Sequence, residues 1–392
     1  MSTTQETSNT QAPSLSRREE LSLRRQELDA TEVYWRDHYV WLKQMGYLLR
    51  PRYNPEWIPS WKGTNKSWIS CEDAQIGDWP DRLMEATRVS DELQVQLKKL
   101  PISHASESEI DIAQFFSKDP HKNHPSNHCV PFYEVIKIPN EDTYLAVMPF
   151  LTHWEEPAFE TIGEVLEFFR QIFEGVQFMH SLNVAHNDIK FDNVMMNAMP
   201  LYDEPPHPVD PTMNKAYTHP LEPRSRSLRP VKYYLIDFGE ALPYNLAHGE
   251  PRIPVGQTGY GGDKNVPEFS TNAEYCDPFP VDVCRLGNII RFNFTDKNEE
   301  ESIYGPKRGL SFMEPLVRDM CHKDPAKRPK MHEVVKRFEV LTASLPWWKL
   351  RSRVIPREEH IFLRMFRFPG HWGRQAIAIL KRRPAIPNFT KT

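Results

Sequence analysis

The strongest periodic signal in the chain lies within residues 164–182. Val165, Phe168, Phe169, Ile172, Val176 and Met179 recur there at steps of three and four, which predicts a long helix buried along one side. Shorter patterns flank it. Residues 83–100 predict a β-hairpin turning at Ser90-Asp91-Glu92, with the alternating Leu93-Gln94-Val95-Gln96-Leu97-Lys98 as its second strand. Residues 107–116 predict a helix, and residues 129–135 and 143–148 predict two strands. The β-branched and aromatic Tyr233-Tyr234-Leu235-Ile236 predicts a strand ending at Asp237, with Gly239 beyond it to release the backbone. Residues 333–345 predict a last helix.

Upstream, residues 21–45 read as an amphipathic helix carrying Tyr34, Trp35, Tyr39, Trp41 and Leu42. Residues 46–80, rich in Pro and Trp, read as a strand followed by a long irregular connection. Residues 1–20 are polar and expected to be disordered. Composition changes this picture only a little. A chain of 392 residues with 39% apolar content can bury a large core, divided among two or three domains or lobes. A net charge of -4 points neither toward nor away from nucleic acid. Five scattered cysteines, odd in number and without a C-x-x-C pair, favour a reducing, intracellular compartment, cytoplasmic or nuclear. No apolar run is long enough for a membrane span, and the polar N-terminus lacks the apolar run of a signal peptide.

The candidate chemistry gathers where the long helix ends. His186-Asn187-Asp188-Ile189-Lys190-Phe191-Asp192-Asn193 puts a carboxylate, an ammonium and an amide on one short loop, a composition suited to charged substrates. This H-x-D-x-K-x-x-N run is followed in order by Asp237-Phe238-Gly239, Pro267-Glu268, Asp282-Val283-Cys284-Arg285-Leu286-Gly287 and Asp324-Pro325-Ala326-Lys327-Arg328-Pro329. In that order the motifs resemble the protein kinase superfamily. The Trp-rich flanks and the V-K-Y-Y-L-I-D-F-G-E run also resemble the protein-kinase-like proteins of mushroom-forming fungi. The resemblance covers roughly residues 83–345. It implies an α+β, bilobal protein-kinase-like fold with a small β-rich N-lobe (81–148) and a large helical C-lobe (149–346) interrupted by an insertion at about 202–230. An extension (21–80) precedes the lobes and a basic tail (347–392) follows them.

The same resemblance implies roles for individual residues. Asp188 would take the proton of an acceptor hydroxyl, and Lys190 would sit near the transferred phosphoryl group. Asn193 and Asp237 would hold Mg2+. Lys98 would steady the α- and β-phosphates of ATP, paired with Glu109; Glu107 and Asp111 are rivals for that pairing, because the phase of their helix is open. Met148 would be the gatekeeper, with the Pro149 carbonyl and the Leu151 N–H reading adenine. Glu268 and Arg328 would form a buried structural pair. The implied function is ATP-dependent phosphoryl transfer to a serine or threonine hydroxyl of a protein, with ATP and Mg2+ as cofactors.

The chain also departs from the family pattern. No G-x-G-x-x-G loop occurs upstream, Gln96 stands where a small apolar residue is usual, and Asn187 stands where many kinases carry arginine. These departures motivate a second expectation, a pseudokinase scaffold that transfers little or no phosphate. A small-molecule kinase is a third, suggested by a short and acidic stretch after Asp282 that includes residues 296–301. Asp237 lies 44 positions after Asn193, and the extra segment with Arg224, Arg226 and Arg229 reads as a surface excursion. Gly256, Gly259, Gly261 and Gly262 suggest a mobile activation segment. The basic, aromatic tail is expected to fold back on the domain; an acidic partner, membrane lipid or nucleic acid are its alternatives. For the chain as a whole the expected partners are ATP and a protein substrate, not nucleic acid.

Overall fold

The computed structural model describes residues 16–77, 80–245, 247, 249, 252–255, 263–271, 273–295 and 305–389. The glycine cluster at 256–262, the acidic stretch at 296–301, Trp79 and most of the polar N-terminus lie outside the described residues. An antiparallel β region within 47–149 precedes a largely helical C-terminal region, so the chain is α+β. It forms two compact units, Met1–Gln94 with Pro206–Pro220, and Val95–Pro205 with Leu221–Thr392.

In the first unit, the expected single helix is three short ones: α1 (Arg17–Arg24), α2 (Ala30–Asp37) and α3 (Tyr39–Gln44). Asp29 is the reason for the first break. Its carboxylate accepts from the Glu32 N–H at 2.8 Å while Glu32 reaches back to the Asp29 N–H, a capping box that starts a new helix. Strands β1 (Tyr47–Leu48) and β2 (Leu83–Arg88) pair antiparallel, and the described residues between them include 3-10 turns at Pro51–Tyr53, Trp68–Ser70 and Glu72–Ala74. Asp73 holds this connection together by accepting from Trp57 Nε1, Ser60 N–H and Ser60 Oγ. The centre of the unit is Arg52, fully buried and bidentate to Glu32. Part of the insertion belongs here: Gln94 donates to the Pro206 carbonyl, and the buried His207 lies 3.2 Å from Glu72.

In the second unit, strand β3 (Gln94–Pro101) contributes the residues from Val95 onward. Helix α4 (His104–Ser117) follows, then β4 (Glu134–Lys137) and β5 (Thr143–Pro149). β5 lies between β3 and β4, with Gln96 opposite Met148 and Lys98 opposite Ala146. The strand expected at 129–135 is therefore displaced to 134–137. Its first half is used otherwise: the Val130 N–H donates to Leu235 O, and the Leu235 N–H donates to His128 O.

The long helix α5 (Ile162–Ser181) is capped by Thr161 and buried along nearly its whole length. Trp154 stacks on Phe168 at 4.8 Å, and Phe173 meets Phe338 of the helix Met331–Ala343 edge-on at 5.2 Å. The hairpin of Val194–Met196 and Tyr233–Leu235 packs on α5, tied to it by Gln171, which donates to Val231 O and accepts from the Tyr233 N–H. Helix α6 (Pro278–Ile290) approaches the turn after α5. The remainder of the insertion is not a free excursion in this unit: Arg226 is buried and donates to the carbonyls of Trp154, Pro157 and Ala158.

Candidate functional site

A short strand, a helix and two loops of the second unit bring the charged candidates together. Lys98 projects from β3 and is 5% exposed. Its Nζ donates to Glu109 Oε1 at 2.5 Å and to Asp237 Oδ1 at 2.8 Å. The rivals of Glu109 are exposed. The phase follows from α4 itself, where Glu109 shares a face with the buried Ile112, Ala113 and Phe116 at steps of three, four and seven. An ammonium out of water is stable only when its donors are satisfied, and two carboxylates meet that need.

Asp237 has a left-handed backbone, φ 64 and ψ 75, a region that aspartate tolerates better than most residues. The next residue, Phe238, is fully buried, 6.2 Å from Phe116 of α4 and 5.5 Å from His186. Strand geometry before Asp237, the turn at it and the buried ring after it together aim its carboxylate at Lys98.

The second cluster forms on the loop after α5. Asn193 Nδ2 donates to Asp188 Oδ2 at 2.7 Å and to the Asp188 carbonyl at 2.8 Å. Lys190 Nζ lies 3.3 Å from Asp188 Oδ2. Asp188 is buried, and its Oδ1 has no hydrogen-bond partner. Burial pushes its carboxyl above the ordinary aspartate range, against the opposing pull of Lys190. The two clusters are stitched through the backbone. The Ile236 N–H donates to Asn193 O at 3.0 Å, and His186 Nε2 donates to Ile236 O at 3.1 Å.

Several supporting residues were not recognisable from the sequence in these roles. Asp282 of α6 is fully buried, accepts from the N–H groups of His186 and Asn187 at 2.8 and 2.9 Å, and lies 3.0 Å from His180 Nε2. Burial opposes its ionisation, yet the bonds from His180 and His186 hold its carboxyl below the ordinary range. Arg285, one turn further along α6, donates to the Asn187 carbonyl. Asn187 has φ 62, and its amide donates to the Glu240 carbonyl at 2.9 Å. Glu240 is a further carboxylate here: burial first, then the proximity of Asp188 and Asp237, raise its pKa. The spacing of three between Asp282 and Arg285 was the available signal, since it puts both on one helix face.

Met148 and Pro149 end β5, opposite Gln96 and Val95, and Leu151 follows with its side chain buried. Gln96 is 7% exposed, with Nε2 unpartnered. A hollow of about 300 Å³ opens beside Lys190, lined also by Asp192, Lys264, Arg285 and Phe292. Away from the site, Arg328 is bidentate to Glu268 at 2.6 and 2.5 Å, both buried.

The described residues hold no group of three or more His, Cys, Asp or Glu that could bind a metal by themselves. A magnesium ion would therefore rely on few protein ligands and on phosphate oxygens, which is its usual habit. The residue types fit that requirement: Asp237 would offer a carboxylate oxygen, and Asn193, whose Nδ2 is spent on Asp188, an amide oxygen. Among the described residues no helix is long and apolar enough to cross a membrane. No protein-family model matches the chain, and no curated protein matches it in sequence.

Proposed function

We propose that the second unit transfers a phosphoryl group from ATP to a hydroxyl, with a serine or threonine side chain of a protein as acceptor and a protein-kinase-like arrangement of the chain. The observation that carries this reading is Asp188: a buried carboxylate, fixed by Asn193 through one oxygen and unpartnered at the other. Burial, which raises its pKa, makes such an oxygen a better proton acceptor than a solvated carboxylate. Asp188 Oδ1 orients the acceptor hydroxyl and takes its proton. Lys190, 3.3 Å from the same carboxylate, offsets negative charge developing on the transferred group. Lys98 binds phosphate oxygens, and Glu109 keeps its flexible chain from wandering. Asp237 and Asn193 would hold Mg2+, which supplies charge neutralisation between the phosphates. The hollow beside Lys190 would take residues that flank the acceptor hydroxyl.

A second reading, a scaffold that binds partners without transferring phosphate, is favoured by Gln96 and by residues 49–82. Gln96 puts an unpartnered amide where adenine would need an apolar surface, and the 49–82 connection replaces a short glycine loop. One experiment separates the two: Mg-dependent transfer of labelled phosphate from ATP by the purified chain, to itself and to generic protein acceptors, beside Asp188→Asn and Asp237→Asn, with nucleotide binding followed in parallel. Transfer that disappears in both variants supports the enzyme. Neither transfer nor nucleotide binding by the unaltered chain supports the scaffold.

A further inference from the structure

The C-terminal helix Ile361–Leu380 carries its polarity the wrong way round for a helix packed on a protein core. Its buried residues are His371, Gln375 and Ala378. His371 Nε2 donates to Arg351 O at 2.8 Å, and Arg351 donates to Gln375 Oε1 at 3.2 Å, so the inward face is fixed by polar contacts. The outward side is apolar and exposed: Phe362 64%, Met365 65%, Phe366 83%, Phe368 61% and Leu380 82%. All of residues 361–370 are exposed.

At 3.6 residues per turn, six residues (Arg364, Arg367, His371, Arg374, Gln375 and Ala378) fall within an arc of about 100°, and the other residues, all apolar, aromatic, Gly or Pro, occupy about 220°. Arg367 and Arg374 lie at one border of the inward face and Arg364 within its arc, so no charge interrupts the outward one. A nucleic-acid surface would be met by cations, and these point away from the face's centre. A single partner helix covers a narrower seam than this arc. A bilayer surface, by contrast, receives a wide apolar arc while cations at its border reach headgroup phosphates. The cations are supplied. Arg364 and Arg357 line a polar hollow of about 530 Å³ together with Arg308 and Glu314, and Lys381, Arg382 and Arg383 follow the helix.

We infer that this helix docks the protein on an anionic lipid bilayer, lying in the interface with Phe362, Met365, Phe366 and Leu380 among the acyl chains and the arginines at the headgroups. It does not span the membrane. The inference does not depend on phosphoryl transfer.

The test is flotation of the full chain with phosphatidylcholine vesicles, with and without phosphatidylserine, at low and high salt. Its variants are Phe362→Asp with Phe366→Asp, and Arg364→Glu with Arg357→Glu; thermal melting confirms that each is folded. The unaltered chain floats at least about tenfold better with the anionic vesicles, and salt weakens this. The phenylalanine pair loses at least about tenfold of that binding, and the arginine pair loses the preference for anionic lipid. No flotation, or flotation indifferent to the phenylalanine pair, overturns the inference. So does concentration-dependent self-association in sedimentation that Phe366→Asp abolishes while vesicles are ignored, which would make a second copy the occupant.

Discussion

Arg52 in the first unit and Lys98 in the second are both cations withdrawn from water, yet their surroundings differ in kind. Arg52 uses every donor it has. Nε and Nη2 grip Glu32, while Nη1 and Nη2 also reach the carbonyls of Arg25, Asp73 and Glu27, and Trp57 lies 4.8 Å beneath the guanidinium. Nothing is left for a ligand, so the group is a fastener. Lys98 stands between two carboxylates, one on a helix and one on a left-handed turn, and the neighbouring Asp188 keeps a buried oxygen without a partner. A saturated cation can only fasten, whereas a buried acceptor without a partner keeps capacity for one more hydrogen bond.

The sharpest way to break this contrast is Asp188→Asn. It should lower phosphoryl transfer by roughly 10²–10⁴-fold in a steady-state assay. Stability should hold or rise. The folded-state pKa is raised, so above it folding disfavours the charged form, and a neutral isostere removes that penalty. Arg52→Met should do the reverse. It strands Glu32 in the interior and should cost about 3–5 kcal/mol in urea unfolding, with no residue of the candidate site altered. If Asp188→Asn unfolds the protein, or Arg52→Met leaves it unaffected, the distinction fails.

Smaller effects refine it. A Cβ at Gly175 would sit 2.8 Å from the His128 Cβ, so Gly175→Ala should cost about 1–3 kcal/mol by overpacking under the strand that leads to Asp237. His128 is itself a pH probe. Burial holds its pKa down to about 3 against an ordinary 6.5. Below 6.5 the unfolded chain binds a proton that the folded one refuses. His128 should therefore add a loss of stability of about 1.4 kcal/mol per unit as pH falls through that window, a contribution that His128→Gln removes while that of the similarly depressed His153 remains. Smallest is Gln96→Ala, which on the phosphoryl-transfer reading should tighten nucleotide binding by a few-fold, on the order of one apolar contact, in a titration.

Much of the second unit could be read in advance. The period of α5 lies where its spacing put it, and the Glu268–Arg328 pair, which the family resemblance implied, forms. The phase of α4 stayed open in the sequence, and it is the burial of Ile112, Ala113 and Phe116 beside Glu109 that fixes it. What escaped was one local cap and several long-range contacts. The Asp29 capping box sits inside an amphipathic pattern and cuts one expected helix into shorter pieces. Val130 looks like a strand residue because it is buried, but its partner Leu235 lies about a hundred positions away. Asp282 and Arg285 read as the start of a helix, and nothing local says that they will hold the backbone of His186 and Asn187. The outward-facing phenylalanines of the last helix defeat pattern reading for another reason: amphipathicity tells which residues share a face, not which face turns to the protein.

The tail also closes on itself. The Ile162 N–H donates to Ser352 O and the Val354 N–H donates to Glu160 O, while further on Gly163 admits the Ala385 carbonyl so near that a Cβ there would overlap it. Arg351 joins the two ends by donating to the Arg383 carbonyl. The C-terminal helix is thus the free arc of a ring whose clasp is the first turn of α5. A protease that cuts within 361–370 would open the arc without undoing the clasp. The two fragments should co-migrate on a native sizing column and part only in denaturant.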